Sequence, residues 1–101
     1  MLNIQSIHHV AILTDKYEVS KHCYTEVLGF KIIEETYRVE RQSYKLDLSI
    51  NGKYQIELFS FPDYRERGSY PESKGLRHLA FAVENLEECA QYLKSKNVDV
   101  Q

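Results

Sequence analysis

Three residues in this sequence combine metal-binding or proton-transferring chemistry with a place on a strand-like run: His9, Glu57 and His78. His9 lies in Ile7-His8-His9-Val10-Ala11-Ile12-Leu13, where Ile7, His9, Ala11 and Leu13 share one face and His8, Val10 and Ile12 the other. Glu57 lies in Tyr54-Gln55-Ile56-Glu57-Leu58-Phe59, opposed to Ile56 and Leu58. His78 lies in Gly75-Leu76-Arg77-His78-Leu79-Ala80-Phe81-Ala82-Val83, where Leu79, Phe81 and Val83 point one way and His78, Ala80 and Ala82 the other. Each therefore faces away from the large aliphatic side chains, among small or polar neighbours (Ala11, Gln55, Ala80, Ala82). If helices cover the aliphatic side, the other side is the hollow of a sheet. Two imidazoles and one carboxylate meeting there form an N/O ligand set suited to a divalent transition metal with open coordination positions. Spacing alone does not make them meet. A core histidine with one hydrogen bond, or a glutamate facing water from a half-exposed sheet, fits the same pattern.

The elements that must position these residues follow from periodicity. After the first run, Asp15-Lys16-Tyr17-Glu18 offers an N-cap with Glu three residues on. Val19, Cys23, Val27 and Tyr24 then recur at helical spacing, and Gly29 stands where a helix stops in a left-handed conformation. Phe30 to Tyr37 reads as a second strand. Tyr44 to Ile50 reads as a third, with Leu46, Leu48 and Ile50 on one face and Lys45, Asp47 and Ser49 on the other. Asn51-Gly52 is a two-residue hairpin signal leading into the strand that carries Glu57. The first part is β-α-β-β-β. Residues from Ser60 to Lys74, with Pro62, Gly68 and Pro71, read as an exposed connector. The His78 strand follows. Then Asn85-Leu86-Glu87-Glu88 repeats the helix start, Leu86, Cys89, Ala90 and Leu93 form a stripe, Asn97 is a stop, and Val98-Asp99-Val100-Gln101 opens a new β-type run.

The two parts are copies. Ile7-His8-His9-Val10-Ala11-Ile12 corresponds to Leu76-Arg77-His78-Leu79-Ala80-Phe81, and Leu28-Gly29-Phe30 to Lys96-Asn97-Val98, at an offset of about 69 residues. The first copy is a full β-α-β-β-β module; the second ends at its second strand. Such a half-module leaves a sheet edge unpaired, so the chain is expected to be a shortened form of a longer design, or to have its sheet completed by a partner chain.

Composition narrows the function. The 101 residues suit one domain, organised as module one over 5–60, a connector over 61–74 and a partial module two over 75–101. A net charge of −2 supplies no basic field for nucleic acid or an anionic membrane surface. No run approaches a membrane span, and the N-terminal residues lack the basic and apolar regions of a signal peptide. Cys23 and Cys89, without a CxxC pattern, read as reduced core thiols of a cytoplasmic protein.

Four motifs in order, Ile7-His8-His9-Val10-Ala11-Ile12, Leu28-Gly29-Phe30, Gln55-Ile56-Glu57-Leu58-Phe59 and Gly75-Leu76-Arg77-His78-Leu79-Ala80-Phe81, resemble the vicinal oxygen chelate superfamily. They resemble its small bacterial glyoxalase-I-like metalloproteins in particular, as does Ser69-Tyr70-Pro71-Glu72. The resemblance implies an α+β fold of paired β-α-β-β-β modules, whose curved mixed sheet encloses a metal. It implies His9, Glu57 and His78 as metal ligands, with Glu57 also the catalytic carboxylate. The second module's Glu falls at about position 126, past Gln101. That departure bears on catalysis, because in glyoxalase I enzymes this Glu also moves the proton. The metal expected is Zn or Ni, with Mn, Co or Fe also admissible. No other cofactor-binding residue is expected.

The activity implied is that of a divalent-metal-dependent lyase or isomerase of the lactoylglutathione lyase kind, where the C-terminal part is present. It would convert a small 2-oxoaldehyde–thiol adduct through an enediolate, with a carboxylate carrying the proton between adjacent carbons. An acyl-CoA epimerase uses the same enediolate chemistry. Other readings from the same superfamily are an iron-dependent ring-cleaving dioxygenase and a non-catalytic module that binds a drug or metabolite. A small-molecule substrate and a homodimer are expected, with no nucleic acid and no membrane.

The remaining candidates have plainer readings. His8 alternates away from His9 and is expected to be structural. Arg38, Arg41, Arg65 and Arg67 are expected on the solvated surface, although arginines suit anionic substrates, and Arg77 alternates onto the aliphatic face. Tyr24 and Tyr92 occupy equivalent helix positions and are expected to pack.

Overall fold

Alternation and turn chemistry give the first half of the chain its sheet. In the computed structural model, which describes residues 2–65, 74–76 and 78–100, the chain forms two compact units, Met1–Tyr64 and Arg65–Gln101. The first contains β1 (His9–Thr14), α1 (Tyr17–His22) continued by a π-helical turn (Cys23–Val27), β2 (Lys31–Arg38), β3 (Ser43–Ile50) and β4 (Tyr54–Ser60). Its curved, open, mixed sheet has the order β1-β4-β3-β2. β1 lies parallel to β4, and the β4–β3 and β3–β2 pairs are antiparallel. This is the expected β-α-β-β-β module.

One face of the sheet is the core. Leu46, Leu48, Ile56 and Leu58 are buried, and Ile12, Tyr24, Phe30 and Ile50 pack around them with Tyr17. Removing each such aliphatic side chain from water contributes about 1.5–3 kcal/mol. The opposite face carries His9, Ala11, Gln55, Glu57, Lys45, Asp47 and Ser49, as alternation requires.

The helix differs from expectation in start and stripe. Asp15 does not cap it: its carboxylate accepts the Tyr64 hydroxyl at 3.0 Å. Lys16 occupies the cap position, and Thr14 Oγ1 accepts the Lys16 N–H at 3.1 Å. The buried stripe runs through Tyr17 and Tyr24, whereas Val19 and Cys23 are exposed, so Cys23 is no core thiol. The shielded positions, Tyr17, Ser20, Lys21 and Tyr24, keep ordinary helical spacing, so it is the face carrying Val19 and Cys23 that is left to solvent. A π turn follows, in which the Leu28 N–H reaches the Cys23 carbonyl at 2.9 Å. The stop is as expected. Gly29 has φ +79°, and the Phe30 N–H closes the end on the Tyr24 carbonyl at 3.0 Å.

The hairpin turn carries one residue more than expected. Asn51 and Gly52 both have positive φ, and the Lys53 N–H donates to the Ile50 carbonyl at 3.1 Å, as in a type I′ turn. The ladder, however, resumes at Ile50 with Tyr54. Lys53 is thus an extra residue on one strand. Without it Asp47 would stand opposite Ile56, and the polar face of one strand would meet the apolar face of the other.

The second unit contains α2 (Leu86–Ser95), capped by Asn85, whose side-chain oxygen accepts the Glu88 N–H at 3.0 Å. It ends with Asn97 at φ +63°, where the Val98 N–H reaches the Leu93 carbonyl at 2.9 Å. Gly29 and Asn97 close the two helices alike, in agreement with the repeat. The runs expected as strands around His78–Val83 and at Val98–Val100 belong to no ladder among the described residues. A strand needs a partner for its backbone groups, and the described residues of this unit provide none. Arg67, Arg77 and the run Ser69-Tyr70-Pro71-Glu72 lie outside the described residues. No described helix is long and apolar enough to cross a membrane.

Candidate metal-binding site

His9 opens β1 and Glu57 is central in β4. The parallel register pairs His9 with Gln55 and Ala11 with Glu57, so His9 and Glu57 are diagonal neighbours on one face. The small Ala11 beside Glu57 leaves the imidazole room to reach across. His9 Nε2 comes within 3.7 Å of Glu57 Oε1. The imidazole is 41% exposed and the carboxylate 16%, so the pair is open on one side. Ligand atoms sit about 2.0–2.2 Å from a zinc-sized cation, and donors 3.7 Å apart can both touch one such ion. An imidazole nitrogen and a carboxylate oxygen are donor types that divalent transition metals take.

His78 lies in the second unit, in a segment without regular structure. Among the described residues no group of three His, Cys, Asp or Glu side chains is gathered that could hold a metal ion. The structure thus brings together the first module's pair, His9 and Glu57.

Two neighbours stand differently from their reading by pattern, which left Asp47 as a polar-face residue and His8 as a structural one on the far face. Asp47 stands directly opposite Glu57 in the β3–β4 ladder. Its Oδ2 is 3.3 Å from Lys45 Nζ, and its Oδ1 is buried without a hydrogen-bond partner. Alternation puts Asp47 on the polar face, but only the register puts it beside Glu57. His8 lies just ahead of β1 rather than in it, so strand alternation does not send it to the far face. Its Nδ1 is 2.9 Å from His9 Nδ1, with the two rings nearly perpendicular at 83°.

Arg38 and Arg41 part from a bare surface role, and of the two tyrosines expected to pack only Tyr24 does so. Arg38 donates to the hydroxyl of the buried Ser43 at 2.9 Å and stacks over Phe59 and Phe61, while Arg41 stacks over Phe61. Tyr24 packs against Phe30 with burial raising its hydroxyl pKa, whereas Tyr92 is exposed.

On the core side, Tyr17 donates to Glu35 Oε2, which also accepts Lys21 Nζ at 2.8 Å. The Lys21 and then the Tyr17 hydrogen bond hold Glu35 below the usual carboxylate range. Burial first, then the Glu35 bond, pushes Tyr17 far above the usual phenol range. These groups face away from His9 and tie the helix to β2.

The sequence matches the model of the Glyoxalase/Bleomycin resistance protein/Dioxygenase superfamily over residues 6–101. The chain belongs to that superfamily. It is 56% identical to YwkD of Bacillus subtilis, over 97% of this chain and 77% of that protein. It is 25% identical to the lactoylglutathione lyase of Schizosaccharomyces pombe, over 96% of this chain and 39% of that enzyme. Among solved structures, a glyoxalase family protein from Enterococcus faecalis superposes with a TM-score of 0.86 at 41% identity, covering 94% of this chain and 75% of that one. The fosfomycin resistance protein FosX from Listeria monocytogenes, solved with Mn(II) and sulfate, superposes at 0.72 and 15% identity, covering 98% and 77%. That last likeness is one of fold.

Proposed function

We propose that this superfamily member is a glyoxalase-I-like metalloprotein, a divalent-metal-dependent lyase or isomerase for a small 2-oxoaldehyde–thiol adduct. The observation that carries the reading is the convergence of His9 Nε2 and Glu57 Oε1 to 3.7 Å on the polar face of the sheet. Likeness to a lactoylglutathione lyase supports the substrate class, and FosX supports the capacity of the fold to hold a divalent ion. We assign His9, Glu57 and His78 as ligands, with Zn or Ni as the metal. A further carboxylate from a second module, and a homodimer in which modules pair, belong to the same proposal.

A divalent cation held there supplies Lewis acidity toward two adjacent substrate oxygens. His9 supplies a neutral nitrogen donor. Glu57, mostly shielded from water yet open toward the polar face, has the chemistry to take a proton from one substrate carbon and return it to the next. Ala11, the register partner of Glu57, adds only a methyl group to that face.

Metal content and turnover test the reading together. The protein should retain close to one equivalent of metal after loading with Zn, Ni, Mn or Fe, and His9→Ala should lose it. The hemithioacetal of methylglyoxal, offered with a panel of thiols, should be isomerised by wild type and not by Glu57→Gln. Less than a tenth of an equivalent of any metal would rule out the metalloenzyme and favour a non-catalytic binding module. Full metal without isomerase activity, but with cleavage of a catechol under oxygen, would favour the ring-cleaving reading.

A further inference from the structure

Two arginines gather at one end of the polar face without a counter-charge. β2 ends at Arg38, whose register partner is Ser43, and a 3-10 turn over Val39–Arg41 leads on toward β3. Ser43 alternates with Lys45 and Asp47 along β3, so Arg38 belongs to the polar face. The Arg38 guanidinium lies 5.0 Å from the centroid of the Phe59 ring and 5.6 Å from that of Phe61. The Arg41 guanidinium lies 5.1 Å from that of Phe61. Two cations therefore share one aromatic ring, which attracts each of them but neutralises neither. Among the described residues the ion pairs are His9–Glu57, Lys21–Glu35 and Lys45–Asp47, and neither arginine takes part in one. Lys45, the register partner of Phe59, has Asp47; Arg38, stacked over the same Phe59, has no such partner.

Packing the turn against Phe61 would explain one stacked arginine, but not two with no carboxylate between them. Arg38 is also held in place. Its Nη2 donates to the hydroxyl of the buried Ser43 at 2.9 Å, and its Nε is buried with no hydrogen-bond partner. A planar fork fixed in this way loses little freedom when it takes a ligand. Arg41 is exposed, so its N–H donors are open to one.

We propose that Arg38 and Arg41 form a phosphate-binding subsite at the end of the polar face. Two guanidiniums present two positive charges, which a phosphate group matches with about −1.5 to −2 at neutral pH and a single carboxylate does not. The remainder of the ligand has a floor. Phe59 pairs with the exposed Leu13, and Glu57 lies two residues back along β4, at a spacing of about 7 Å. A phosphate held by the arginines sets the body of a small molecule over Phe59 and Leu13, directed at His9 and Glu57. That this molecule is the substrate rests on the function proposed above; phosphate binding itself needs no metal, so the two can fail separately.

Inorganic phosphate is the probe, titrated calorimetrically into metal-free protein at constant pH and ionic strength. Wild type should bind one phosphate, and acetate at least about tenfold more weakly. Arg38→Gln and Arg41→Gln should each weaken phosphate binding by at least about tenfold. Arg41→Gln, at an exposed position, should keep the wild-type thermal midpoint, so it carries the test even where Arg38→Gln loosens the hold on Ser43. His9→Ala, and Lys31→Gln at the opposite end of β2, should stay within about twofold of wild type. Unchanged phosphate affinity in Arg41→Gln would overturn the subsite. An equal loss in Lys31→Gln would mark an adventitious ion only and overturn it as well. Acetate bound as tightly as phosphate would overturn the phosphate assignment. Loss of phosphate binding in His9→Ala, with both arginine variants like wild type, would place the ion elsewhere. Phosphate binding as expected in a protein that retains no metal would uphold the subsite and remove the metalloenzyme reading.

Discussion

Asp47 and Glu57 stand directly opposite each other across the β3–β4 ladder, both on the face turned away from Leu46, Leu48, Ile56 and Leu58. Lys45 reaches Asp47 from two residues away on the same strand. Two carboxylates facing one another on a sheet repel, and a divalent cation held beside Glu57, as proposed, would relieve that repulsion.

Replacing Asp47 therefore has opposite effects with and without metal. Asp47→Asn should stabilise the metal-free protein by up to about 1 kcal/mol, the scale of a like-charge cross-strand pair. The same variant should bind Zn more weakly than wild type, because one negative charge has left the site. Urea unfolding with and without Zn measures both. A variant less stable than wild type without metal would show that Asp47 serves the fold through Lys45 instead.

The Tyr17–Glu35–Lys21 cluster sets the edges of the pH range. Glu35 titrates lower in the folded chain, so its contribution is present above its ordinary value of about 4.3 and fades as pH falls through the folded value. Tyr17 and Lys21 titrate higher in the folded chain, so their contribution is full below a pH of about 10 and fades as pH rises through their folded values. Thermal midpoints measured across pH should form a plateau with both shoulders. Tyr17→Phe should flatten the alkaline shoulder; a shoulder of unchanged size would place its origin elsewhere.

Gly29 tests the helix stop. Its φ is +79°, and a Cβ there would meet nothing within 4 Å, so any cost is backbone strain rather than a clash. Gly29→Ala should cost about 1–2 kcal/mol in chemical denaturation. Gly29→Asn should cost less, since Asn97 ends the other helix at φ +63°. An alanine variant as stable as wild type would mean that the helix end rebuilds.

The two faces of the sheet should respond differently to truncation. Leu58 is fully buried, and Leu58→Ala should destabilise by about 2–5 kcal/mol. Leu13 lies on the polar face and is 47% exposed, so Leu13→Ala should stay within about 0.5 kcal/mol. Comparable losses at both positions would show that the polar face is covered in solution, as in the proposed dimer.

Much of this was legible because period and turn chemistry are local. Alternation alone separates Leu46, Leu48, Ile56 and Leu58 from Lys45, Asp47 and Glu57, and the four strands of the first module fall where that pattern puts them. Gly29, Asn85 and Asn97 mark helix ends that form as expected. Asp15 misled because a carboxylate near a helix start has other suitors, here the Tyr64 hydroxyl 49 residues away. Cys23 misled because Val19, Cys23 and Val27 share helical spacing with one another, whereas the face that meets the sheet is the one carrying Tyr17, Ser20 and Tyr24.

The sequence by itself determined which side chains belong to the polar face and where the elements begin and turn, since both depend on neighbours a few residues apart. Tertiary structure alone decided who meets whom on that face. The parallel pairing of β1 with β4 and the extra residue at Lys53 set the register that brings His9 to Glu57 and Asp47 opposite it. Register is a property of two strands together, and one residue of slip would send every side chain of a strand to the other face.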